Sequence, residues 1–185
     1  MLAPSTGRTI WLTGLPSSGK STLAAAVAAA LTTPAEVLDG DMLRNRFFPE
    51  LTFSWSDRTE NIRRTGRLAT MLARHGVTVL VSVIAPSSEA REWVRQLHAD
   101  ARIRYDEVWV DAPAAVCERR DVKGLYARAR RQEITGVTGF DDPYEPPHDP
   151  SLHLETAVLT VDECVARIMG LVRDPVPAMR DEVAR

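Results

Sequence analysis

The sequence predicts an α/β fold in which helices cover both faces of a central parallel sheet. Short apolar segments alternate along the chain with longer segments whose apolar residues recur at helical spacing. A glycine-rich segment, Gly14–Ser21, stands between the first short segment and the first helical one. We therefore expect a single three-layer domain over residues 1–185, with a mobile lid at about 119–147 and a polar tail from about 175.

Five short segments predict the strands of the sheet, because each is rich in apolar or β-branched residues and is bounded by turn residues. They comprise residues 9–13, 35–39, 77–85, 107–111 and 157–160. The helical segments comprise residues 21–31, 58–75, 88–98, 114–120, 124–132 and 161–172. The proline-rich residues 133–153 are expected to form an ordered loop rather than a linker between domains.

The composition is that of an ordinary globular domain, with 44% hydrophobic residues, 26% charged residues and a net charge of −2. This charge argues against nucleic acid or a membrane as a partner, and no apolar run approaches the roughly 20 residues of a membrane span. The N-terminal residues lack the features of a signal peptide, so a cytoplasmic location is expected. Cys117 and Cys164 are expected to be inert thiols rather than a disulfide or a metal pair.

The glycine-rich segment matches the P-loop pattern Gly-x4-Gly-Lys-[Ser/Thr] at every position. Backbone N–H groups of such a loop surround a phosphate, the lysine reaches the β- and γ-phosphates, and the hydroxyl binds Mg²⁺. The sequence therefore predicts a P-loop nucleoside-triphosphatase-like fold that binds a nucleoside triphosphate with Mg²⁺. The residues of this segment that are predicted to bind the nucleotide are Gly14, Leu15, Pro16, Ser17, Ser18, Gly19, Lys20, Ser21 and Thr22.

Two carboxylates, Asp39 and Asp41, follow the second predicted strand on either side of Gly40. They fall at the carboxyl edge of the sheet, where ligands of such folds bind. One carboxylate could hold Mg²⁺ through water while the other accepts a proton from an attacking hydroxyl. Alternatively, Asp41 caps a short helix that begins at Met42. Both interpretations stay open, since a capping carboxylate can also be catalytic.

Several longer motifs follow the P-loop in a diagnostic order. They are Leu38-Asp-Gly-Asp41, Phe53-Ser54, Asp57-Arg-x-Glu-Asn-Ile-Arg-Arg64, Lys123-Gly-Leu-Tyr126, Thr138-Gly139 and Pro143-Tyr-Glu145. With these motifs the chain resembles the adenylylsulfate kinase family from about Arg8 to Leu171. The resemblance implies phosphorylation of the 3′-hydroxyl of adenosine 5′-phosphosulfate by ATP, and it implies a homodimer.

The resemblance also implies a role for each matched residue. Asp41 would be the general base, Lys123 would approach the transferred phosphate, and Arg120 would pack against the adenine of ATP. Phe53 would stack on the adenine of the acceptor, whose phosphosulfate would be held by arginines and an asparagine. The implied catalytic residues are Lys20, Asp39, Asp41 and Lys123, the metal ligands are Ser21 and Asp41, and the acceptor-binding residues are Asp41, Arg44, Phe53, Arg58, Asn61, Ile84, Lys123, Gly124, Leu125 and Phe140.

The chain departs from the family pattern on the acceptor side. Ala85 stands where the family has a serine, so a phosphorylated intermediate there is excluded and direct in-line transfer is expected. Ser87 and Ser88 supply one cation fewer than the family pattern. Val137 replaces a lid phenylalanine, so either Phe140 supplies the second stacking face or the stacking is one-sided.

These departures favour a second hypothesis, a divergent kinase for another small hydroxylated acceptor. A third hypothesis is a non-catalytic nucleotide-binding module. The presence of Lys20, Ser21, Asp39 and Asp41 argues against this third hypothesis.

Overall fold

A computed structural model describes residues 7–173, and the predicted polar tail lies outside these residues. The strands form one sheet in the order β2-β3-β1-β4-β5, and every neighbouring pair is parallel. This architecture confirms the predicted α/β fold. The strands are β1 (Arg8–Thr13), β2 (Ala35–Asp39), β3 (Thr78–Ser82), β4 (Arg104–Asp111) and β5 (Leu152–Glu155).

Helices connect the strands as crossovers, as parallel pairing requires. Of these, α3 begins three residues earlier than predicted, because the Ser54 hydroxyl accepts a hydrogen bond from Asp57 N and so caps the helix at Trp55. The helices are α1 (Lys20–Ala30), α2 (Gly40–Arg46), α3 (Trp55–Arg74), α4 (Ser88–Asp100), α5 (Ala114–Arg120), α6 (Leu125–Arg130) and α7 (Val161–Arg173).

The prediction of a strand at residues 157–160 is wrong. The last strand is β5, in which Leu152 and Leu154 alternate with polar residues, and Leu154 is fully buried. The next residues form a turn, in which Val158 N and Leu159 N donate to Glu155 O. Val158 is 80% exposed, so the apolar residues there do not mark a buried strand.

Two hydrophobic clusters fill the space between the sheet and its helices. Alternation along β1 sends Ile10 and Leu12 to the face covered by α1 and α7, and Trp11 to the face covered by α3 and α4. On the second face, Gly66 of α3 lies against the Val94 side chain, so a larger residue would push α3 away from α4. The three layers hold the carboxyl edge of the sheet rigid beneath the loops that carry the site.

Both cysteines are buried, and they form no disulfide with each other. None of the helices within residues 7–173 combines the length and apolar character needed to cross a bilayer.

Candidate active site

The P-loop joins the end of β1 to the start of α1 and adopts the backbone conformation that its glycines permit. Gly14 has a φ of +151°, and a Cβ there would lie 2.2 Å from Val110 O, so only glycine fits. Gly19 has a φ of +110° and stands at the N-terminus of α1. The loop thus curls around the position that phosphate occupies at such a helix N-terminus.

Lys20 lies buried inside this curl. Its ammonium donates to Gly14 O at 2.9 Å and to Leu15 O at 2.7 Å. Burial is the main reason why the pKa of Lys20 is lowered to about 8, and the positive charge of Lys123 contributes to this shift. A phosphate in the loop would favour the charged form and so compensate for the burial.

Ser21 and Asp39 present two oxygens to the space beside the loop. Ser21 Oγ donates to Asp39 Oδ2 at 2.7 Å and lies 3.0 Å from Ser82 Oγ. Hydroxyl and carboxylate oxygens suit Mg²⁺, which in nucleotide sites is held by few protein ligands together with phosphates and water. Within the described residues no group of three or more His, Cys, Asp or Glu is placed so that it could hold a metal ion.

Asp39, and not Asp41, caps helix α2, so the alternative interpretation of Asp41 as the cap is wrong. Asp39 Oδ1 accepts hydrogen bonds from Asp41 N at 3.0 Å and Met42 N at 3.4 Å. The helix begins at Gly40, two residues before the predicted start at Met42. Asp39 therefore caps α2 and also accepts the hydrogen bond from Ser21. The Asp41 side chain takes no part in this cap.

The Asp41 carboxylate instead forms an ion pair with Lys123. Lys123 lies in the short connection between α5 and α6, and both side chains are about half exposed. The charges of Lys123, Asp39 and Asp41 all act on Lys20. The structure thus brings together the four predicted catalytic residues.

Two lid residues tie the α5–α6 region to the P-loop. Tyr126 OH donates to Pro16 O at 3.2 Å. The Arg120 guanidinium, predicted to pack on the adenine of ATP, donates to Ser18 O at 3.3 Å and to Thr156 O at 2.5 Å. Arg120 therefore lies at the outer edge of the P-loop in this structure. Gly124 and Leu125 stand at the N-terminus of α6, directly after Lys123.

Arg44 and Phe53 form a pair on the acceptor side. The guanidinium of Arg44 lies 4.6 Å from the centre of the Phe53 ring and donates to Leu51 O and Thr52 O. Burial lowers the pKa of Arg44, and the charge of Arg58 lowers it further. One face of Phe53 is covered by the cation, while 64% of the residue remains exposed.

Arg58 joins helix α3 to the lid. Its Nε donates to Phe53 O at 2.8 Å, Nη1 donates to Thr138 Oγ1 at 2.5 Å, and Nη2 donates to Gly136 O. The side chain is almost fully buried and lies 3.5 Å from the Asp142 carboxylate. Because Gly136 and Thr138 belong to the predicted lid, Arg58 positions that segment over α3.

Asn61 lies one turn after Arg58 on the same face of α3. It is buried, and its Oδ1 has no hydrogen-bond partner within the described part of the chain. An unpaired buried polar atom costs about 1–3 kcal/mol. This cost is removed if a ligand donates to the amide oxygen.

The segment after β3 carries a strained residue. Ala85 is buried and has a φ of +47°, which an alanine rarely adopts. Arg91 Nη1 donates to Ala85 O at 2.6 Å, and Thr13 Oγ1 donates to Ile84 O at 2.6 Å. These bonds hold the carbonyl groups of this segment in place beside the P-loop.

The end of the predicted lid is anchored by contacts that the sequence did not reveal. Tyr144 OH lies 3.1 Å from Thr13 Oγ1, and burial raises the pKa of Tyr144 to about 12. Ser88, predicted as a weaker replacement for a cation, donates from its N and Oγ to Glu145 Oε2 at 2.7 and 2.5 Å. The Pro-Tyr-Glu motif was visible in the sequence, but its partners are distant along the chain.

Two cavities flank the lid. One of about 630 Å³ is lined by Leu15, Trp109, Asp111, Phe140 and Tyr144, among others. The other, of about 570 Å³, is lined by Phe53, Ser54, Trp55, Thr135, Gly136, Asp141 and Asp142. Phe140 and Phe53 therefore line separate cavities, and Val137 is buried in the lid beside Cys117 and Tyr126. This separation argues against a second stacking face supplied by Phe140.

Known proteins resemble this chain in both sequence and structure. Residues 6–155 match the family model described as adenylylsulphate kinase. The adenylyl-sulfate kinase of Synechococcus sp. (strain JA-3-3Ab) is 50% identical over 170 residues, which cover 90% of this chain and 94% of that protein. The enzyme of the same name from Gloeothece citriformis is 52% identical over 166 residues, which cover 88% of this chain and 92% of that protein.

Among solved structures, the Mycobacterium tuberculosis APS kinase CysC in complex with AMPPNP and APS superposes with a TM-score of 0.89 at 46% identity. The match covers 93% of this chain and all of that one. The geometry of the P-loop and its neighbouring acidic and basic residues, together with these matches, shows that the chain belongs to the adenylylsulphate kinase family.

Proposed function

We propose that this protein transfers the γ-phosphoryl group of ATP to the 3′-hydroxyl of adenosine 5′-phosphosulfate. The products are 3′-phosphoadenosine 5′-phosphosulfate and ADP. The observation that carries the proposal is the contact between Asp41 and Lys123. Both charges act on Lys20 of the P-loop, and the charge of Asp41 also acts on Arg44 on the acceptor side. The names of the relatives support the same reaction.

On the donor side, the N–H groups of the P-loop and the Lys20 ammonium bind the phosphates of ATP. Ser21 Oγ and Asp39 Oδ2, which lie 2.7 Å apart, would hold Mg²⁺ directly or through water. The ion, when bound, neutralises charge on the β- and γ-phosphate oxygens. Asp39 suits this role better than the predicted Asp41, because Asp39 is the carboxylate that contacts Ser21.

On the acceptor side, Asp41 accepts the proton of the 3′-hydroxyl as its oxygen forms a bond to the γ-phosphorus. The bond from that phosphorus to the β,γ-bridging oxygen breaks, and ADP leaves. Lys123 lies within contact distance of Asp41 and offsets the negative charge of the transferred group. Ala85 has no hydroxyl, so the group passes directly between the two substrates.

The acceptor is held by its base and by its anionic end. Phe53 presents an exposed ring for the adenine. Arg44 and Asn61 face the same region of α2 and α3, and their donors suit the phosphosulfate. Arg58 contributes positive charge and keeps residues 136–138 of the lid over the site.

A divergent kinase for another hydroxylated acceptor remains the second candidate, and Ala85 and Val137 are the residues that favour it. ADP release with Mg-ATP and adenosine 5′-phosphosulfate, compared with AMP, separates the two candidates. Turnover that requires the phosphosulfate supports the proposal. ADP release at the same rate with AMP, or with neither acceptor, would reject it. The homodimer and the cytoplasmic location stay predictions.

A further inference from the structure

Two exposed aromatic residues line the cavity on the acceptor side. Phe53 is 64% exposed and Trp55 is 43% exposed, and they stand on either side of Ser54. The same cavity is also lined by residues of the predicted lid, among them Gly136 and Asp142. Large apolar side chains grouped in one concave site are characteristic of ligand pockets, and a volume of about 570 Å³ lies in the usual range for such pockets.

The backbone that carries the two rings is held in place. Ser54 Oγ accepts from Asp57 N at 3.2 Å, and Thr52 Oγ1 accepts from Ser54 N at 3.2 Å. Trp55 is the first residue of α3, so its position follows from this cap. A fixed backbone lets both rings bind a planar ligand at little cost in conformational entropy.

The two lid positions considered for the second face of a purine, 137 and 140, do not line this cavity. Val137 is buried in the lid, and Phe140 lines the other cavity, where the Arg130 guanidinium lies 5.7 Å from the centre of its ring. Arg44 already covers one face of Phe53. Among the described residues that line the 570 Å³ cavity, Trp55 is the aromatic side chain that remains.

We propose that Trp55 is a second aromatic wall of the acceptor's purine subsite. It would replace the stacking face that the family pattern has at position 137, where this chain has a valine. The inference rests on the proposed function for the identity of the acceptor. Trp55 determines affinity and preference for a purine, while the transfer step itself depends on Asp41 and Lys123. The effect of its removal therefore falls on acceptor binding and leaves ATP binding unchanged.

Steady-state kinetics with three variants test this role. Trp55→Ala should raise the KM for adenosine 5′-phosphosulfate about fivefold to tenfold, since it removes one stacking partner of a base, while kcat and the KM for ATP change less than about twofold. Trp55→Phe retains an aromatic face and should stay within about threefold of the wild type. Trp93→Phe is the control, because Trp93 packs against the core under Arg63 and Arg67. An unchanged acceptor KM in Trp55→Ala would overturn the inference.

Tryptophan fluorescence locates the ligand without depending on turnover. Adenosine 5′-phosphosulfate should quench the emission of the wild type and of Trp93→Phe, and this quenching should be largely absent in Trp55→Phe. Equal quenching in all three proteins would show that the purine does not reach Trp55. If the proposed function itself is wrong, the wild type releases no ADP that depends on adenosine 5′-phosphosulfate, whatever the effect of the Trp55 variants. In that case AMP and adenosine 5′-phosphosulfate titrations still decide whether Trp55 contacts a purine.

Discussion

Replacing Arg58 with lysine tests whether this side chain holds the lid against helix α3. A lysine could occupy the same buried position and keep the charge near Asp142. It could not reproduce the fork that donates to Phe53 O, Thr138 Oγ1 and Gly136 O together. The lysine of the variant should therefore leave at least two of these three acceptors without the hydrogen bond that Arg58 donates.

The size of the effect follows from these contacts. A hydrogen bond from a charged donor contributes about 1.5–3 kcal/mol, so the loss of two lowers the free energy of unfolding by about 3 kcal/mol or more. For a chain of this size 1 kcal/mol corresponds to about 2–4 °C in Tm, so Tm should fall by at least about 6 °C. Thermal unfolding followed by circular dichroism measures this change directly.

Arg64→Lys is the matched control on the same helix. Arg64 is more exposed than Arg58 and pairs with Glu50 and Glu60 at the surface. Solvent screens such exposed pairs, and a lysine keeps the charge that forms them, so this variant should melt within about 3 °C of the wild type. Arg58→Lys should also raise the KM for the acceptor more than the KM for ATP. Equal melting temperatures for the two variants would refute the role of Arg58 as the link between lid and helix.

Three further predictions concern the transfer itself. Asp41→Asn should lower kcat at least about a hundredfold while ATP binding, measured by calorimetry, persists, and near-normal turnover would remove Asp41 from the mechanism. Ala85→Ser restores a hydroxyl but should leave kcat within about threefold and produce no phosphorylated enzyme by intact-protein mass spectrometry. A covalent phosphate in that variant would show that transfer can pass through position 85 once a hydroxyl stands there, which would refute this expectation. Because burial lowers the pKa of Lys20 to about 8, the free enzyme loses this charge as the pH rises through 8, and ATP affinity should fall there. The Lys20→Met variant should bind ATP weakly, and its affinity should not fall near pH 8. If its ATP affinity depends on pH as that of the wild type does, the titrating group is not Lys20.

The P-loop and the acceptor motifs could be predicted from the sequence because each depends on residues close together along the chain. The pattern from Gly14 to Ser21 specifies its own turn and helix N-terminus, and the motif around Arg58 lies on one helix. The pairing of Asp41 with Lys123 joins two such motifs, and the resemblance to a known family indicated their proximity.

Other features depended on contacts between distant segments. The strand at Leu152–Glu155 was missed because only its pairing with β4 distinguishes it from the proline-rich loop before it. The role of Asp39 as the cap of α2 depends on a two-residue difference in where the helix begins. The contact of Tyr144 with Thr13 spans most of the chain, and no local pattern indicates it.

In the acceptor pocket, too, the sequence showed which residues are present but not which of them lie together. The substitution at Val137 was visible in the sequence, and Phe140 was the nearest aromatic residue in the lid. The structure puts Phe140 in another cavity and Trp55 beside Phe53, two residues away in sequence. The side of the lid on which a residue lies follows from the hydrogen bonds of Gly136, Thr138 and Asp141.

The most direct test of the account is the release of ADP by the purified protein with Mg-ATP and micromolar adenosine 5′-phosphosulfate. AMP and buffer alone serve as controls, and the phosphorylated product is identified by mass spectrometry. The account predicts rapid ADP release that requires the phosphosulfate and yields one 3′-phosphorylated product per ADP. Binding of ATP without turnover of this acceptor would contradict the proposed function.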